Sequence, residues 1–479
     1  MATHRRSAEH RRPGTVRASE VASDLPRLAA LRILRAVDDD DAYAHLASGQ
    51  ILSSLHLQGR DAAFALNLAY GVLRWRSLVD AIWQSCSQRE QVDPDVQRVL
   101  SMGTHQMLQM QVPAHAAIAT SVDLIRTAGS PGAAGFVNAV LRAVQADDLP
   151  GWLTRLDLGG PDDLMGDLGK LALRWSHPKW IVAAFAAALG PRMAELPALL
   201  AADNDPARPV LVALPGLATT LDLLEDPRLS AGRLSPLAAV LAQGRPDEVA
   251  AVREGRAAVQ DEGSQLAALA LSRAPVDGDD GAWLDLCAGP GGKAAVLAGL
   301  AMARSAQLTA VEPHPSRARL LANRLAPFGQ EVGLALEGLA PEVLVGDARQ
   351  APWGDRRFSR VLVDAPCSGI GALRRRPESR WRRLASDLTA LVALQRELLL
   401  TAIDAAVPGG VVLYVTCSPH PAETVEVIDY ALRMRQGGVL PLATGSLLPE
   451  VGLLQSSTVQ LWPHEHGTDA MFMAAFRVQ

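Results

Sequence analysis

The first third of the chain carries apolar residues at helical spacing. Asp24 is a candidate N-cap, and the apolar positions that follow it are Leu28, Leu31, Leu34 and Val37. Similar patterns occupy residues 61–75, 94–109, 113–127 and 132–145. Since no part of 25–147 alternates like a strand, we predict an all-α domain over 25–147. Residues 1–24 are polar and rich in arginine, which predicts a disordered basic tail.

The pattern changes at about residue 256, where apolar strands begin to alternate with amphipathic helices. The predicted strands are 282–287, 307–311, 342–346, 360–364 and 410–415, with helices at 293–303, 315–327 and 385–406. Such alternation predicts a mainly parallel sheet with helices on both faces. Two later candidates, 458–462 and 470–477, would add an antiparallel pair. We therefore predict a seven-stranded, Rossmann-like α/β domain over 256–479.

The pattern between these two regions is weaker. Tryptophans flank helical stretches, and Pro209 to Leu214 is a short candidate for a buried strand. We predict that 148–255 forms a linker with a small α/β element that docks RNA.

Composition supports several folded domains. The chain has 479 residues, 49% of them hydrophobic and 20% charged, which is typical of globular proteins. No stretch approaches the roughly 20 uninterrupted apolar residues of a membrane span, and no signal peptide is recognisable, so we expect a cytoplasmic protein. The 4 cysteines lack the spacing of a zinc site and are too few for a disulfide scaffold, so free thiols and no metal are expected.

Arginine is clustered although the net charge is -5. One cluster lies in the tail, where a solvated surface and a nucleic-acid contact are equally good interpretations. The other comprises Arg374, Arg375, Arg376, Arg380, Arg382 and Arg383. We expect this run to contact phosphates, because it follows a candidate catalytic motif closely.

A small-residue loop follows the first strand of the α/β domain, and a helix starts directly after it. The loop comprises Cys287, Ala288, Gly289, Pro290, Gly291, Gly292 and Lys293. Alone, it could serve a dinucleotide, a phosphate or an adenosyl cofactor. Glu312, Asp347 and Asp364 end the next strands, and the spaced GxGxxG and GK[ST] patterns are absent. Together these features favour a pocket for adenosine joined to an amino acid.

Two cysteines follow neighbouring predicted strands, Cys367 after Asp364 and Cys417 after Thr416. Adjacent strands lie about 4.8 Å apart, so both thiols should share one site. A thiolate beside a methyl donor suits methylation of carbon 5 of cytosine, since addition at carbon 6 activates that carbon. Asp364 could stabilise the adduct at ring nitrogen 3. The spacing leaves open which cysteine attacks. The base must be single-stranded or extruded to reach the site.

These motifs resemble the RsmB (Sun or Fmu) branch of the RNA 5-methylcytosine methyltransferases. Further matching stretches are Arg74-Trp75-Arg76, Phe136 to Arg142 and Val259 to Gln265. The resemblance implies S-adenosylmethionine as the methyl donor, held by the loop Cys287 to Lys293 with Glu312, Arg317, Asp347 and Asp364. It also implies that Cys417 is the nucleophile, that Cys367 helps to release the product and that Asp364 is the acid.

The resemblance further implies a NusB-like RNA-binding domain and a cytosine of small-subunit (16S) ribosomal RNA as the target. We infer no membrane association and no obligate protein partner. Two alternatives remain at this point. One is the same chemistry on transfer RNA or another RNA, and the other is a catalytically silent RNA-binding or assembly factor that retains the fold.

Overall fold

The structure is a computed structural model that describes residues 24–330 and 339–479. The predicted basic tail, apart from Asp24, lies outside the described residues. The chain divides into two compact units, with the division between Leu158 and Gly159. Each unit is described by itself below.

The first unit is helical, as predicted. Its helices are α1 (Leu25–Asp39), α2 (Ala44–Ser54), α3 (Gly59–Ser85), α4 (Pro94–Leu108), α5 (Ala114–Thr127), α6 (Ala134–Val144) and α7 (Leu149–Arg155). The side chain of Asp24 caps α1 by accepting a hydrogen bond from the backbone N–H of Arg27. The α3 helix continues past the predicted end at residue 75, with a kink at Trp75. The pattern missed α2, whose apolar face is short.

The second unit begins with helices and a small antiparallel sheet. The helices are α8 (Leu168–Arg174), α9 (Lys179–Leu189) and α10 (Leu196–Asp203). The sheet contains β1 (Val210–Ala213), β2 (Leu229–Ala231), β3 (Ala238–Leu241) and β4 (Ala257–Val259), in the order β2-β3-β1-β4. Two short helices accompany it, α11 (Thr220–Leu224) and α12 (Ala250–Arg253).

The stretch Lys179–Asp203 is long and apolar enough to cross a membrane by length and composition alone. A 3-10 helix, Gly190–Glu195, interrupts it between α9 and α10. Its apolar residues Ile181, Phe185 and Leu199 are buried in a cluster with Ile370 and Trp462. This burial explains the composition by core packing.

The large sheet carries the chemistry. Its strands are β5 (Ala282–Asp285), β6 (Gln307–Glu312), β7 (Glu342–Val345), β8 (Phe358–Asp364), β9 (Ala406–Thr416), β10 (Val439–Pro441), β11 (Thr458–Gln460) and β12 (Phe472–Val478). The order is β10-β12-β9-β8-β5-β6-β7, and β11 also pairs with β12. The strands from β9 to β7 are parallel, and β12 runs antiparallel to β9. The predicted Rossmann-like fold is confirmed, with β10 as an eighth strand that the pattern missed.

Helices cover both faces of this sheet. On one face lie α13 (Glu262–Arg273), α14 (Gly292–Met302) and α15 (Pro315–Leu325), and on the other lie α18 (Asp387–Ala405) and α19 (Val425–Met434). Three short helices belong to the same part of the chain, α16 (Pro327–Gln330), α17 (Ser379–Arg382) and α20 (Pro463–His466). Along β8, Leu362 faces one core, while Val361 and Val363 face the other. Strands buried on both sides are continuously apolar, which is why this region showed uninterrupted hydrophobic runs.

Candidate active site

Five adjacent parallel strands bring the candidate residues to one edge of the sheet. In spatial order, Cys417 follows β9, Asp364 ends β8, Cys287 follows β5, Glu312 ends β6 and Asp347 follows β7. Four strand spacings separate the first from the last, a span of about 19 Å at about 4.8 Å each. Open α/β sheets bind ligands at this edge. The order puts the thiols at one end of the site and the acids Glu312 and Asp347 at the other.

The two cysteine sulfurs lie 3.3 Å apart. Their loops are tied by backbone hydrogen bonds, from Ala365 N–H to the Val415 carbonyl (2.9 Å) and from Gly371 N–H to the Cys417 carbonyl (2.9 Å). At this distance the thiol of one cysteine can donate a hydrogen bond to the thiolate of the other. The hydrogen bond from Cys367 lowers the pKa of the Cys417 thiol, against the effect of burial, and the same contact raises the pKa of Cys367.

Lys293 joins the cofactor loop to the cysteine site. Its ammonium donates a hydrogen bond to the Asp364 carboxylate at 2.8 Å. Burial works against the charged form, but the negative charge of Asp364 outweighs it and raises the pKa of Lys293. The same positive charge helps to lower the pKa of Cys417. The family resemblance implies only a cofactor contact for Lys293, and the structure adds this electrostatic link to the cysteine site.

The glycine-rich loop turns through left-handed backbone conformations, with φ of +56° at Gly289 and +97° at Gly291. A Cβ atom added at Gly291 would lie 3.1 Å from the side chains of Leu321 and Arg324. The loop is also anchored to the sheet, since the N–H of Ala288 donates to the Val311 carbonyl at 3.0 Å. Glycine is therefore required here for both conformation and close approach.

The adenosine end of the site contains Glu312 and Asp347. Glu312 is buried, accepts a hydrogen bond from the N–H of His314 at 2.9 Å and lies 3.4 Å from the Arg317 guanidinium. Asp347 is half-exposed and forms an ion pair with Arg349 at 2.6 Å, which lowers the pKa of Asp347. An adenine amine at Asp347 would therefore share this carboxylate with Arg349.

Asp285, at the end of β5, is a site residue that the sequence reasoning missed. It is fully buried, and Oδ1 accepts a hydrogen bond from the Cys287 N–H at 3.2 Å. Its other oxygen, Oδ2, has no hydrogen-bond partner among the described residues. Burial, with the charge of Asp364, raises the pKa of Asp285 to about 7. An unpartnered buried carboxylate oxygen beside the loop suits a cationic cofactor, so S-adenosylmethionine fits. The sequence did contain a signal for Asp285, because it lies at a strand end like Glu312, Asp347 and Asp364.

The arginine run needs a correction, because two of its members are structural. Arg380 is fully buried and donates to the carbonyls of Ser176 and Asp203 and to the Asn204 side chain, at 3.1, 2.9 and 2.7 Å. Arg375 forms an ion pair with buried Asp469. Arg380 is therefore not available to phosphates, and phosphate contact by the exposed part of the run stays a prediction. The sequence could not reveal these structural roles, since the partners of Arg380 and of Arg375 come from distant segments of the chain.

The fold and this strand-end site define a Rossmann-like methyltransferase that uses S-adenosylmethionine. A family model described as 16S rRNA methyltransferase RsmB/F matches residues 270–477, and a NusB family model matches residues 24–146. The chain belongs to the RsmB/F family of methyltransferases. A Pseudomonas putida protein named Ribosomal RNA small subunit methyltransferase B is 33% identical over 467 residues, covering 94% of this chain and 97% of that protein.

Other comparisons agree. The Mycobacterium tuberculosis protein Rv1407, whose name describes a methyltransferase, is 48% identical over 458 residues, covering 95% of this chain and 96% of that protein. The crystal structure of PH0851 superposes with a TM-score of 0.74 at 22% identity, covering 95% of this chain and 98% of that one. At that identity the likeness concerns the fold.

Proposed function

We propose that this protein methylates carbon 5 of a cytosine in small-subunit (16S) ribosomal RNA, in the cytoplasm, through a covalent bond between Cys417 and the base. The observation that carries the proposal is the contact of 3.3 Å between the Cys367 and Cys417 sulfurs, next to the Lys293–Asp364 ion pair. A methyltransferase acting on an oxygen or nitrogen atom has no use for two thiols in this position.

We assign Cys417 as the nucleophile because the hydrogen bond from Cys367 lowers its pKa, with help from the charge of Lys293 and against the effects of burial and of the Asp364 carboxylate. Its sulfur adds to carbon 6 of cytosine, and the electron pair of the 5,6 double bond moves towards ring nitrogen 3. The Lys293–Asp364 pair holds one mobile proton that can neutralise this nitrogen. S-adenosylmethionine supplies the methyl group that carbon 5 accepts.

Release reverses the addition. Water takes the proton from carbon 5, nitrogen 3 returns its proton to the Lys293–Asp364 pair, and the 5,6 double bond re-forms as the bond between carbon 6 and the Cys417 sulfur breaks to return the thiolate. Cys367 lies close enough to Cys417 to assist this step. Since Cys367 keeps its proton at neutral pH, it can donate a hydrogen bond that stabilises the departing thiolate of Cys417.

The cofactor contacts follow from the strand order. Glu312 would accept hydrogen bonds from the ribose hydroxyls, Asp347 would bind the adenine amine, and Asp285 would bind the amino-acid end with the loop from Cys287 to Lys293. Arg317, placed beside Glu312, would border the ribose. Gly289 and Gly291 allow the backbone to approach the ligand.

The RNA target rests on two supports. Relatives that match along nearly the whole chain are named as small-subunit ribosomal RNA methyltransferases. The first unit matches the NusB family, a helical module that would add RNA contacts away from the chemistry. A base within a duplex cannot reach the two thiols, so the target cytosine must be unpaired or extruded.

The test is methyl transfer from labelled cofactor to separate pools of ribosomal and transfer RNA. We expect transfer to small-subunit ribosomal RNA in the wild type, none in Cys417→Ala, and a covalent protein–RNA adduct in Cys367→Ala, visible on a denaturing gel. Cys86→Ala is the matched control, because Cys86 lies in the helical unit. Turnover in Cys417→Ala would overturn the mechanism. Transfer to transfer RNA alone would overturn the target.

A further inference from the structure

Glu423 is a fully buried carboxylate that lies behind the cysteine pair. Oε1 accepts hydrogen bonds from the Ser368 N–H at 2.7 Å and from the Gln395 amide at 3.0 Å. Oε2 accepts from the hydroxyls of Ser368 and Ser418, at 2.5 and 2.6 Å. The Tyr414 hydroxyl also donates to the Glu423 carbonyl at 2.8 Å. Four donors therefore converge on one carboxylate.

These donors come from both cysteine loops. Ser368 follows Cys367, and Ser418 follows Cys417, so the single carboxylate of Glu423 links the backbones on which the two sulfurs are mounted. Gln395, from α18, extends the link by donating to the Pro366 carbonyl at 2.9 Å. Burying a carboxylate is costly unless its oxygens are satisfied, and here each oxygen receives two hydrogen bonds. The network therefore fixes a specific distance between the loops.

Glu423 also makes the surroundings of the two cysteines different. Within the described ranges, 24–330 and 339–479, it has no ion-pair partner closer than 4 Å, so its negative charge is balanced only by hydrogen-bond donors. After the contact with Cys417 and burial, the charges of Cys417 and Glu423 add to the rise in the pKa of Cys367. Cys417 instead has the Lys293–Asp364 ion pair nearby, whose two charges act on its pKa in opposite directions, and the hydrogen bond from Cys367 lowers its pKa.

We propose that Glu423 is the positioning residue of the cysteine pair: it holds the two loops in register and keeps the shared proton on Cys367, so that Cys417 is the nucleophile. This role rests on the proposed function of the pair. Geometry alone gives two similar thiols at neighbouring strand ends, and Glu423 adds to the features that make them different.

The test is Glu423→Gln, which keeps the size of the side chain but removes its charge. Glu426→Gln is the matched control, since Glu426 is exposed on α19. Alkylation of the full-length protein by iodoacetamide is followed from pH 6 to 9, with Cys367 and Cys417 resolved by peptide mass spectrometry. In the wild type and the control we expect Cys417 to react first. In Glu423→Gln the ratio of the alkylation rate of Cys417 to that of Cys367 should fall by about tenfold, which is the effect of one pKa unit.

Methyl transfer supplies the second readout. Glu423→Gln should lower kcat by about 10- to 100-fold with little change in KM for RNA, because misplaced reacting groups affect the chemical step. Glu423→Asp keeps the charge but withdraws the oxygens by one methylene, so it should lower kcat while Cys417 still reacts first. This variant also serves if Glu423→Gln does not fold.

Wild-type kcat in Glu423→Asp, or an unchanged alkylation profile in Glu423→Gln, would overturn the positioning role. The alkylation assay needs neither RNA nor cofactor, so its outcome is independent of the proposed substrate. Turnover in Cys417→Ala would instead contradict the proposed function itself.

Discussion

At the scale of single residues, the site contains two buried carboxylates, and burial opposes the charge of each. Glu423 is satisfied by four donors, whereas Asp285 receives one hydrogen bond and keeps Oδ2 without a partner among the described residues. The first arrangement is stable by itself. The second carries a cost at neutral pH that a cationic ligand can remove.

The pKa of Asp285 gives this cost a pH dependence. The folded protein binds the proton more tightly than the unfolded chain, because burial raises the pKa of Asp285 from its ordinary value of 3.8 to about 7. Stability from this group is therefore complete below about pH 4 and is lost as the pH rises through 7. We predict that Asp285→Asn stabilises the cofactor-free protein at pH 8 by roughly 1 to 3 kcal/mol and that the gain shrinks towards pH 5.

Urea denaturation at the two pH values measures this gain, with Asp355→Asn, at an exposed position, as the control. The same substitution should weaken binding of S-adenosylmethionine by at least about tenfold in calorimetric titration, since it removes the charge proposed to bind the amino-acid end of the cofactor. A variant that is less stable at pH 8, or that binds the cofactor as well as the wild type, would contradict this assignment of Asp285.

At the scale of secondary structure, α14 depends on close packing as much as on its own propensity. Gly299 lies in the middle of this helix, and a Cβ atom there would be 1.9 Å from the carbonyl oxygen of Pro215. Alanine is the better helix former by about 1 kcal/mol, yet the backbone of the loop after β1 leaves it no room. The small sheet is thus packed against the helix that follows the cofactor loop.

We predict that Gly299→Ala destabilises the protein by roughly 2 kcal/mol or more, because overpacking outweighs the gain in propensity. Gly49→Ala in α2 is the control, since nothing lies within 4 Å of its Cβ position, and this substitution should stabilise by up to about 1 kcal/mol. Differential scanning calorimetry of both variants checks the two signs. A stabilised Gly299→Ala protein would show that α14 and the Pro215 loop separate readily.

The elements that the sequence predicted are those with a strong local signal. The alternation from β5 to β9 follows from strands buried on both faces, and the candidate residues follow because parallel strands end at one edge. The sequence did not reveal β10, whose three residues include a proline and pair at the edge of β12. It also gave no sign of Arg380 or Glu423 as buried centres. The partners of Arg380 are far away in sequence, and Glu423 joins two segments, around Ser368 and Ser418, whose proximity only the fold reveals.

At the scale of the whole molecule, the proposed chemistry and the proposed RNA recognition are distributed over two units. All the candidate catalytic and cofactor residues lie after Gly159, together with both sheets. The first unit has its own buried core, which includes Leu31, Leu73 and Leu141. A unit that buries its own apolar residues can fold independently, so each should survive separation from the other.

We predict that residues 159–479 alone bind S-adenosylmethionine with a Kd within about twofold of the full chain, because each candidate contact is retained. Affinity for ribosomal RNA should fall by at least about tenfold, since the truncation removes the phosphate contacts proposed for the helical unit. Calorimetric titration measures the first quantity, and filter binding at fixed salt measures the second. Residues 24–158 expressed alone should be helical by circular dichroism, which controls for folding. If the truncated protein bound RNA as tightly as the full chain, the helical unit would not be the RNA-binding module, and recognition would have to rest on the catalytic unit.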